Sequence, residues 1–408
     1  ISGRTGPQRW HMIADPGAIR RILVEAVEDY PKSEATKSIL RPAIGESLFV
    51  AEGAHWRWQR RAAAPAFSAR NVDALTPIMT RAAEASAARL EAQVGRAANL
   101  LDEMTAATFD VISDVTFADG QGVDRTGVSA GLEAYVDRAA RVSVLDVLGA
   151  PGWLPRPERA AAARALAETT KAADAAIERR RAAGPGRQAD LLDLLLEAED
   201  RDTGRRMTTA ELRDNLMTFI VAGHETTALT LAWALYLCAF DEEVQAAARD
   251  EAQAVLGPRA ATAADVGALP QTRRIIEETL RLYPAGGFLS RTAQVADRLG
   301  PAIIRPGDTV MIPVYGLHRH RRLWEAPDAF RPDRWLDRDR IDRFQYLPFG
   351  DGPRICIGAR FAMQEAVVIL ATLLARFRFS AVRGRDPKPV MILTLRPEGG
   401  VWLEVARA

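Results

Sequence analysis

Cysteine is nearly absent from this chain. Its 408 residues include two, Cys238 and Cys356. That number builds no disulfide scaffold and no cysteine-ligated iron–sulfur cluster, and it fits a reducing cytosol. An excess of charge of one sign is lacking too. Lys+Arg is 54 against Asp+Glu 53, a net charge of +1, so nothing calls for nucleic acid. Internal repeats, a Ser/Gly linker and a signal peptide are all missing. The chain opens mid-pattern at Ile1-Ser2-Gly3; this reads as a lost N-terminal segment and leaves a lost anchor open. A clean membrane-length apolar run is also missing. The nearest, Thr218 to Phe240, contains His224-Glu225, and a charge at membrane depth is costly. That segment reads as a buried helix with functional polar groups.

Apolar residues make up 48% of the chain, ample for a packed interior. At this length the choice is two ordinary domains or one large helical body, and the missing linker favours one domain over residues 1–408. The pattern predicts a strand tail at 10–13, then a helix from Asp15-Pro16 to Val27 with Asp15 as N-cap. Residues 31–53 read as irregular, 53–61, 70–95 and 100–117 as helices, and 118–130 as loop. The alanine-dense stretch 157–183 is strongly helical, ended by Gly184-Pro185-Gly186. A short helix, 190–198, and a hairpin-like Asp202-Thr203-Gly204 follow. Thr208 and Glu211 have capping-box spacing and open a helix of roughly 32 residues, about 48 Å long. Helices resume at 241–256 and 271–282. Strands are expected over 287–313 and after Phe377, with loop over 327–350 between them. The fold class is therefore mainly α with a minor β part.

One stretch, Phe349-Gly350-Asp351-Gly352-Pro353-Arg354-Ile355-Cys356-Ile357-Gly358, sets a cysteine between glycine turns, beside an arginine, just before a helical pattern over 359–377. A helix N-terminus and a nearby cation lower a thiol pKa, so this arrangement presents a thiolate. Gly352 and Gly358 let the backbone pass close to something flat and large. A lone thiolate suits haem iron better than zinc. Cys238, in an apolar run, reads as a buried core thiol.

The long helix carries Val221-Ala222-Gly223-His224-Glu225-Thr226-Thr227. Thr226 can donate to the carbonyl of Ala222 and bend the helix, which makes a small polar notch able to hold dioxygen and relay protons. The bland alternative is a core helix with satisfied polar groups. Zinc fails here, because residue 228, where HExxH needs its second histidine, is alanine. Glu278 and Arg281 share a helical face with apolar flanks; they are surface decoration or a buried pair that needs a partner such as Arg334. Trp56 and Arg60, one turn apart, either grip one anionic group or decorate an exposed basic helix end. Gly350-Asp351-Gly352 is no dinucleotide fingerprint, since position 355 is isoleucine and no strand-to-helix unit surrounds it.

Together these motifs resemble the cytochrome P450 family of haem-thiolate monooxygenases, in the family's order and over nearly the whole chain. The resemblance implies the cytochrome P450 fold, with a long central helix over haem b and the cysteine loop beneath. It makes Cys356 the axial ligand of the iron, with Phe349 packed beside the sulfur. It implies that Trp56, Arg60, Arg291 and Arg354 hold the haem propionates, and that Glu278, Arg281 and Arg334 form a structural triad behind the haem. Glu225 and Thr226 match the acid–alcohol pair that supplies protons to dioxygen. Thr218, Ala222 and Thr226 face the haem, with Val221 beside them. Gly287, Phe288 and Leu289 hang over its edge as substrate wall; ordinary core is the alternative for each. The run from Thr218 to Thr227 looks like the bacterial fatty-acid hydroxylase and animal-type branch, which makes a fatty acid the first substrate expectation. With no flavin or iron–sulfur domain, electrons from NAD(P)H must come through a separate ferredoxin or flavodoxin-like protein. Arg57, Arg61 and Arg360 either dock that acidic partner or are solvated surface. A cytoplasmic monomer is expected. The competing activities are a peroxide-driven hydroxylase, against which the retained Glu225-Thr226 pair argues, and a non-catalytic haem-binding sensor.

Overall fold

The computed structural model describes residues 1–116, 157–184, 190–200 and 203–408. The expected loop at 118–130, the stop residues Pro185-Gly186 and Asp202 lie outside them.

The N-terminus forms a hairpin, β1 (Ser2–Thr5) with β2 (Gln8–Met12). A helix, Pro16–Arg20, follows. Asp15 caps it as expected, its carboxylate accepting from the Ala18 N–H at 2.8 Å. This helix does not run on to Val27 in α form. It widens into a π turn over Arg21–Glu25, where the Ala26 N–H reaches back five residues to the Arg21 carbonyl. Residues 31–53 are also less irregular than expected. Ser33 accepts from the Thr36 N–H and starts a helix, Glu34–Ile44. Pro42 sits inside its last turn, and Gly45, at φ +55°, ends it. A proline so near the end removes one bond without breaking the helix.

The helices Gly53–Ala63, Ala69–Glu91, Leu100–Thr116 and Pro157–Ala183 match the periodicity, with β3 (Ala97–Asn99) between the second and third. Gly184, at φ +80°, donates to the Arg180 carbonyl and closes the alanine-rich helix. A short helix, Leu191–Leu196, precedes the isolated bridge between Glu199 and Arg206. The long helix, Thr209–Phe240, has the reciprocal cap: Glu211 N–H to Thr208 Oγ1 at 3.2 Å and Thr208 N–H to Glu211 Oε2 at 3.0 Å. It is helical throughout, so the Thr226 back-bond does not interrupt it. It is apolar nearly all round, as a helix inside a large core must be.

Helices Glu242–Leu256 and Pro270–Leu282 lead to β4 (Leu289–Thr292), β5 (Asp297–Leu299), β6 (Ala302–Ile304) and β7 (Thr309–Ile312). The cysteine helix, Ala359–Arg376, is followed by β8 (Phe377–Ala381), β9 (Lys388–Met391), β10 (Leu395–Glu398) and β11 (Trp402–Arg407). The larger sheets order as β1-β2-β7-β4 and β3-β11-β8; β9 with β10 and β5 with β6 are hairpins. One core packs the long helix against the Leu100–Thr116 and cysteine helices, around residues such as Val111, Leu231 and Val368. A second lies under the four-stranded sheet, around Ile19, Ile22 and Ile312. Among the described residues no helix is long and apolar enough to cross a membrane.

Candidate functional site

The cysteine loop is closed by its own backbone. Cys356 N–H donates to the Phe349 carbonyl at 2.9 Å, and Ile355 N–H to that of Gly352 at 3.1 Å. Gly352 is at φ +71°, and a Cβ there would collide with the carbonyl of Leu23. Its freedom therefore serves packing against the N-terminal segment. Gly358 has an ordinary φ of −88° and meets no crowding atom; its N–H faces the Cys356 sulfur. Cys356 is exposed to solvent, whereas Cys238 is sealed in the core. The surrounding protein still outweighs that opening and pushes the Cys356 thiol pKa up. The Gly358 N–H, then Arg60 and Lys32, pull it down. The sequence expectation of a lowered pKa thus holds for the parts and not for their sum, because desolvation is the larger effect.

Around this thiol stand cations. Arg291 is 6% exposed, and burial lowers its pKa to about 10. Burial also lowers Arg354 to about 10 and brings Arg60 down. Arg354 stacks on Trp56 at 3.9 Å and donates to the Ala51 carbonyl at 2.8 Å and to the Glu52 carboxylate. It is therefore held by the chain already. Lys32 was missed by the sequence reading. It extends from an isolated bridge to Arg291, its Nζ donates to the Phe49 carbonyl at 2.8 Å, and it lies over the Phe49 ring. Burial, then Arg291 and Arg354, push its pKa far down. A lysine just after Pro31, where an irregular stretch was expected, gave no signal. Four cations thus share a region whose bound carboxylate is Glu52.

On the long helix, Thr226 Oγ1 donates to the Ala222 carbonyl at 2.7 Å as expected. Ala222 is exposed and Val221 half-buried, so this helix face is partly open. Thr218 does not join it: the residue is 7% exposed and its hydroxyl is spent on the Asp214 carbonyl. Its place one helical turn below Ala222 suggested otherwise, but packing closes over it. His224 is a satisfied core histidine, bonded to the Ile220 carbonyl at 2.8 Å. No metal-binding group of His, Cys, Asp or Glu occurs among the described residues. Glu225 Oε1 accepts from Thr394 and from Arg396, two partners far along the chain that the sequence did not suggest. Gly287 is buried against the methyl end of Met391, Phe288 is exposed, and Leu289 is half-buried on β4 beside the second core.

The expected triad is assembled. Arg281 donates to Glu278 twice, at 2.9 and 2.8 Å, and both residues are fully buried. Arg334 adds a contact at 3.3 Å. The Trp335 indole and the Arg331 backbone N–H, both missed, complete the carboxylate at 3.0 Å each. Another missed group is Glu365 on the cysteine helix, 1% exposed, with one oxygen lacking a partner and burial raising its pKa far up. A lone carboxylate in that apolar run was its signal.

The structure holds an open thiol at a loop end with Arg60 and Lys32 acting on it, and Arg291 and Arg354 beside Lys32. Residues 2–404 match the family model for cytochrome P450. The chain is 33% identical to cyclooctatin synthase of Streptomyces melanosporofaciens over 97% of its length and 86% of that protein's. It is 33% identical to a cytokinin hydroxylase of Arabidopsis thaliana over 88% of its length and 71% of that protein's. Its structure superposes on the heme domain of cytochrome P450DA with a TM-score of 0.89 at 28% identity, covering all of this chain and 88% of that one. The chain belongs to the cytochrome P450 family and is a monooxygenase. The family carries haem and takes electrons from a redox partner. The residues here fit haem: an open thiol supplies the soft donor, and four partly desolvated cations beside it suit a buried dianion.

Proposed function

We propose that residues 1–408 act as one catalytic unit that inserts an atom of dioxygen into a C–H bond of a hydrophobic small molecule. The observation that carries this reading is the open Cys356 thiol beside Lys32, Arg60, Arg291 and Arg354. Cys356 would ligate the iron, with the Gly358 N–H on the sulfur and Phe349 beside it. Lys32, Arg60, Arg291 and Trp56 would hold the propionates; Arg354 would share itself with Glu52. When bound, the haem supplies the activation of dioxygen and the oxygen insertion.

The chain's part is binding, orientation and protons. The Thr226 hydroxyl donates its hydrogen bond to the Ala222 carbonyl, which leaves its oxygen lone pairs able to accept from a passing donor. Glu225, next to it, is the acid of the relay. Ala222, Val221, Gly287, Phe288 and Leu289 form the apolar wall; the buried Thr218 supports it from behind. A fatty acid remains one class of candidate substrate. The relatives named above are a cyclooctatin synthase and a cytokinin hydroxylase, so terpenoid-like and adenine-derived compounds belong in the same screen.

Electrons would come from NAD(P)H through a ferredoxin or flavodoxin-like protein docking on the cysteine-loop side. A hollow of about 490 Å³ lies there, lined by Arg273, Arg338, Arg343, Arg360 and the loop residues Phe349 and Ile355. Of the cations first expected to dock this partner, Arg57 pairs with Glu28 and Arg61 with Asp200. Arg360, in the hollow, faces Asp73 at 3.8 Å. Within the hollow Arg273 and Arg338 pair with Glu277 and Arg343 with Asp351, so pairing does not set it apart from Arg57 or Arg61; its place against the cysteine loop is what favours it. Both cysteines are free thiols, which fits a cytoplasmic setting.

Spin-state titration against fatty acids, terpenoid alcohols and adenine derivatives tests the substrate class. In the presence of a shifting compound, Thr226→Ala should consume electrons with product yield falling about a hundredfold, the low end of the range for a lost proton-transfer group. Unchanged coupling removes Thr226 from the relay.

A further inference from the structure

Glu52 stands at the N-cap of the Gly53–Ala63 helix, yet its carboxylate does not cap it. An acidic side chain at that place ordinarily accepts from the first N–H groups of its own helix. Here both oxygens serve other segments. Oε1 accepts from the Lys32 N–H at 2.9 Å, and Oε2 accepts from Arg354 of the cysteine loop. The helix is served by the backbone instead: the Glu52 carbonyl accepts from the Trp56 N–H at 3.2 Å. Trp56 in turn stacks on the Arg354 guanidinium at 3.9 Å. Lys32 is bridged to Arg291 on β4. One carboxylate thus fastens three segments of the chain to each other. Lys32, Arg60 and Arg354 stand on those segments, and Arg291 on the strand bridged to one of them. Side-chain exposure is 28% for Glu52 and 10% for Arg354, so water screens the pair incompletely.

We propose that Glu52 is a positioning residue that holds Arg354 at the haem site and, by its negative charge, keeps the reduction potential of the iron low. The inference rests on reading Cys356 as the iron ligand and Arg354 as a propionate partner. Arg354 uses one nitrogen on the Ala51 carbonyl and another on Glu52. A guanidinium has more N–H donors than those two bonds use, so Arg354 can grip a propionate while Glu52 shares its charge. Reduction adds one electron to the site. Cations beside it favour that added negative charge, and a carboxylate set among them opposes it. Glu52→Gln removes the carboxylate charge and leaves that of Arg354 uncompensated; both changes raise the potential. The amide keeps an acceptor oxygen for the Lys32 N–H, so the hold on that segment survives. Glu52 thereby sets how strong a reductant the redox partner must be.

The test is a mediated spectroelectrochemical titration of the haem-loaded protein, without turnover. Glu52→Gln should move the reduction equilibrium about threefold or more towards the reduced form, which is about 28 mV upward at about 59 mV per decade for one electron. Glu52→Asp, which keeps the charge, should shift it by less than half as much. Glu52→Thr, an uncharged acceptor, carries the test if Glu52→Gln does not fold. A folded uncharged variant with the wild-type potential overturns the proposal. Haem transfer to apomyoglobin tells tuning from mere support: faster haem loss at an unmoved potential makes Glu52 a structural tie and overturns the proposal as well. A further readout needs no haem. In the haem-free protein the Tm losses of Glu52→Gln and Arg354→Gln should be less than additive in the double variant; strict additivity overturns the pair. Arg354→Gln separates the two readings. If it leaves potential and haem retention unchanged, the propionate role of Arg354 fails and this inference falls with it. If it weakens haem retention while the uncharged Glu52 variants are inert, this inference alone is wrong.

Discussion

Two buried, arginine-rich regions flank the cysteine loop, and they are built on opposite principles. Around Glu278 every charged group is answered by the chain. Arg281 gives two bonds to the carboxylate and three more to the carbonyls of His318, Pro327 and Ala329. Around Cys356, Lys32, Arg60, Arg291 and Arg354 are desolvated with one bound carboxylate, Glu52, among them. A buried charge is tolerable only when paired. The first region is finished by folding and reads as structural. The second is left short of negative charge among the described residues, which is what the proposed propionate role of these cations requires.

The comparison breaks first at the thiol. Cys356→Ala should abolish the thiolate-type band of the reduced carbon-monoxide complex; a band that survives would move the iron ligand elsewhere. Next is the balanced region. Glu278→Ala leaves Arg281 buried and unpaired and should cost about 3–5 kcal/mol, read by denaturant unfolding of the haem-free protein. A loss under about 1 kcal/mol would make the triad decorative. The unbalanced region should behave in the opposite way. Arg291→Gln removes a desolvated cation, so the haem-free protein should be no less stable, while haem retention weakens roughly ten- to hundredfold, the worth of one charge-assisted bond. Equal destabilisation with haem retention intact would erase the contrast.

The smallest effect is a pH slope. His318 lies in the balanced region, and its Nε2 accepts from the Leu347 N–H at 2.8 Å. Burial lowers its pKa to about 3. Its neutral form is the native one, so the stability it contributes is complete above the ordinary value near 6.5 and is lost as pH falls towards 3. The slope should be at most about 1.4 kcal/mol per pH unit. His318→Gln, which keeps an acceptor, should flatten it in Tm measured against pH.

The legible part of the site was that carried by local spacing. Thr226 and Ala222 are four apart, Glu278 and Arg281 three, and Cys356 sits in a short glycine-bounded loop, so helix and turn geometry brought each set together. Lys32, Arg396 and Trp335 escaped because their partners lie 17 to 171 residues away, as with Lys32 and Phe49, Arg396 and Glu225, and Trp335 and Glu278. Thr218 was misjudged for the same reason, since spacing orders residues along a helix face and only packing decides which turns stay open.

By itself, the sequence determined the elements and their caps: the Asp15 and Thr208 caps, the apolar helix to Phe240, and a lone thiol poised before another helix. These depend on backbone geometry and on neighbours within a turn or two. Only the tertiary structure decided that four cations from distant segments would be desolvated together, that Gly352 serves Leu23, and that an arginine near the C-terminus would hold Glu225. Burial and charge pairing depend on what surrounds a group in space, and that surrounding exists only after the chain has closed upon itself.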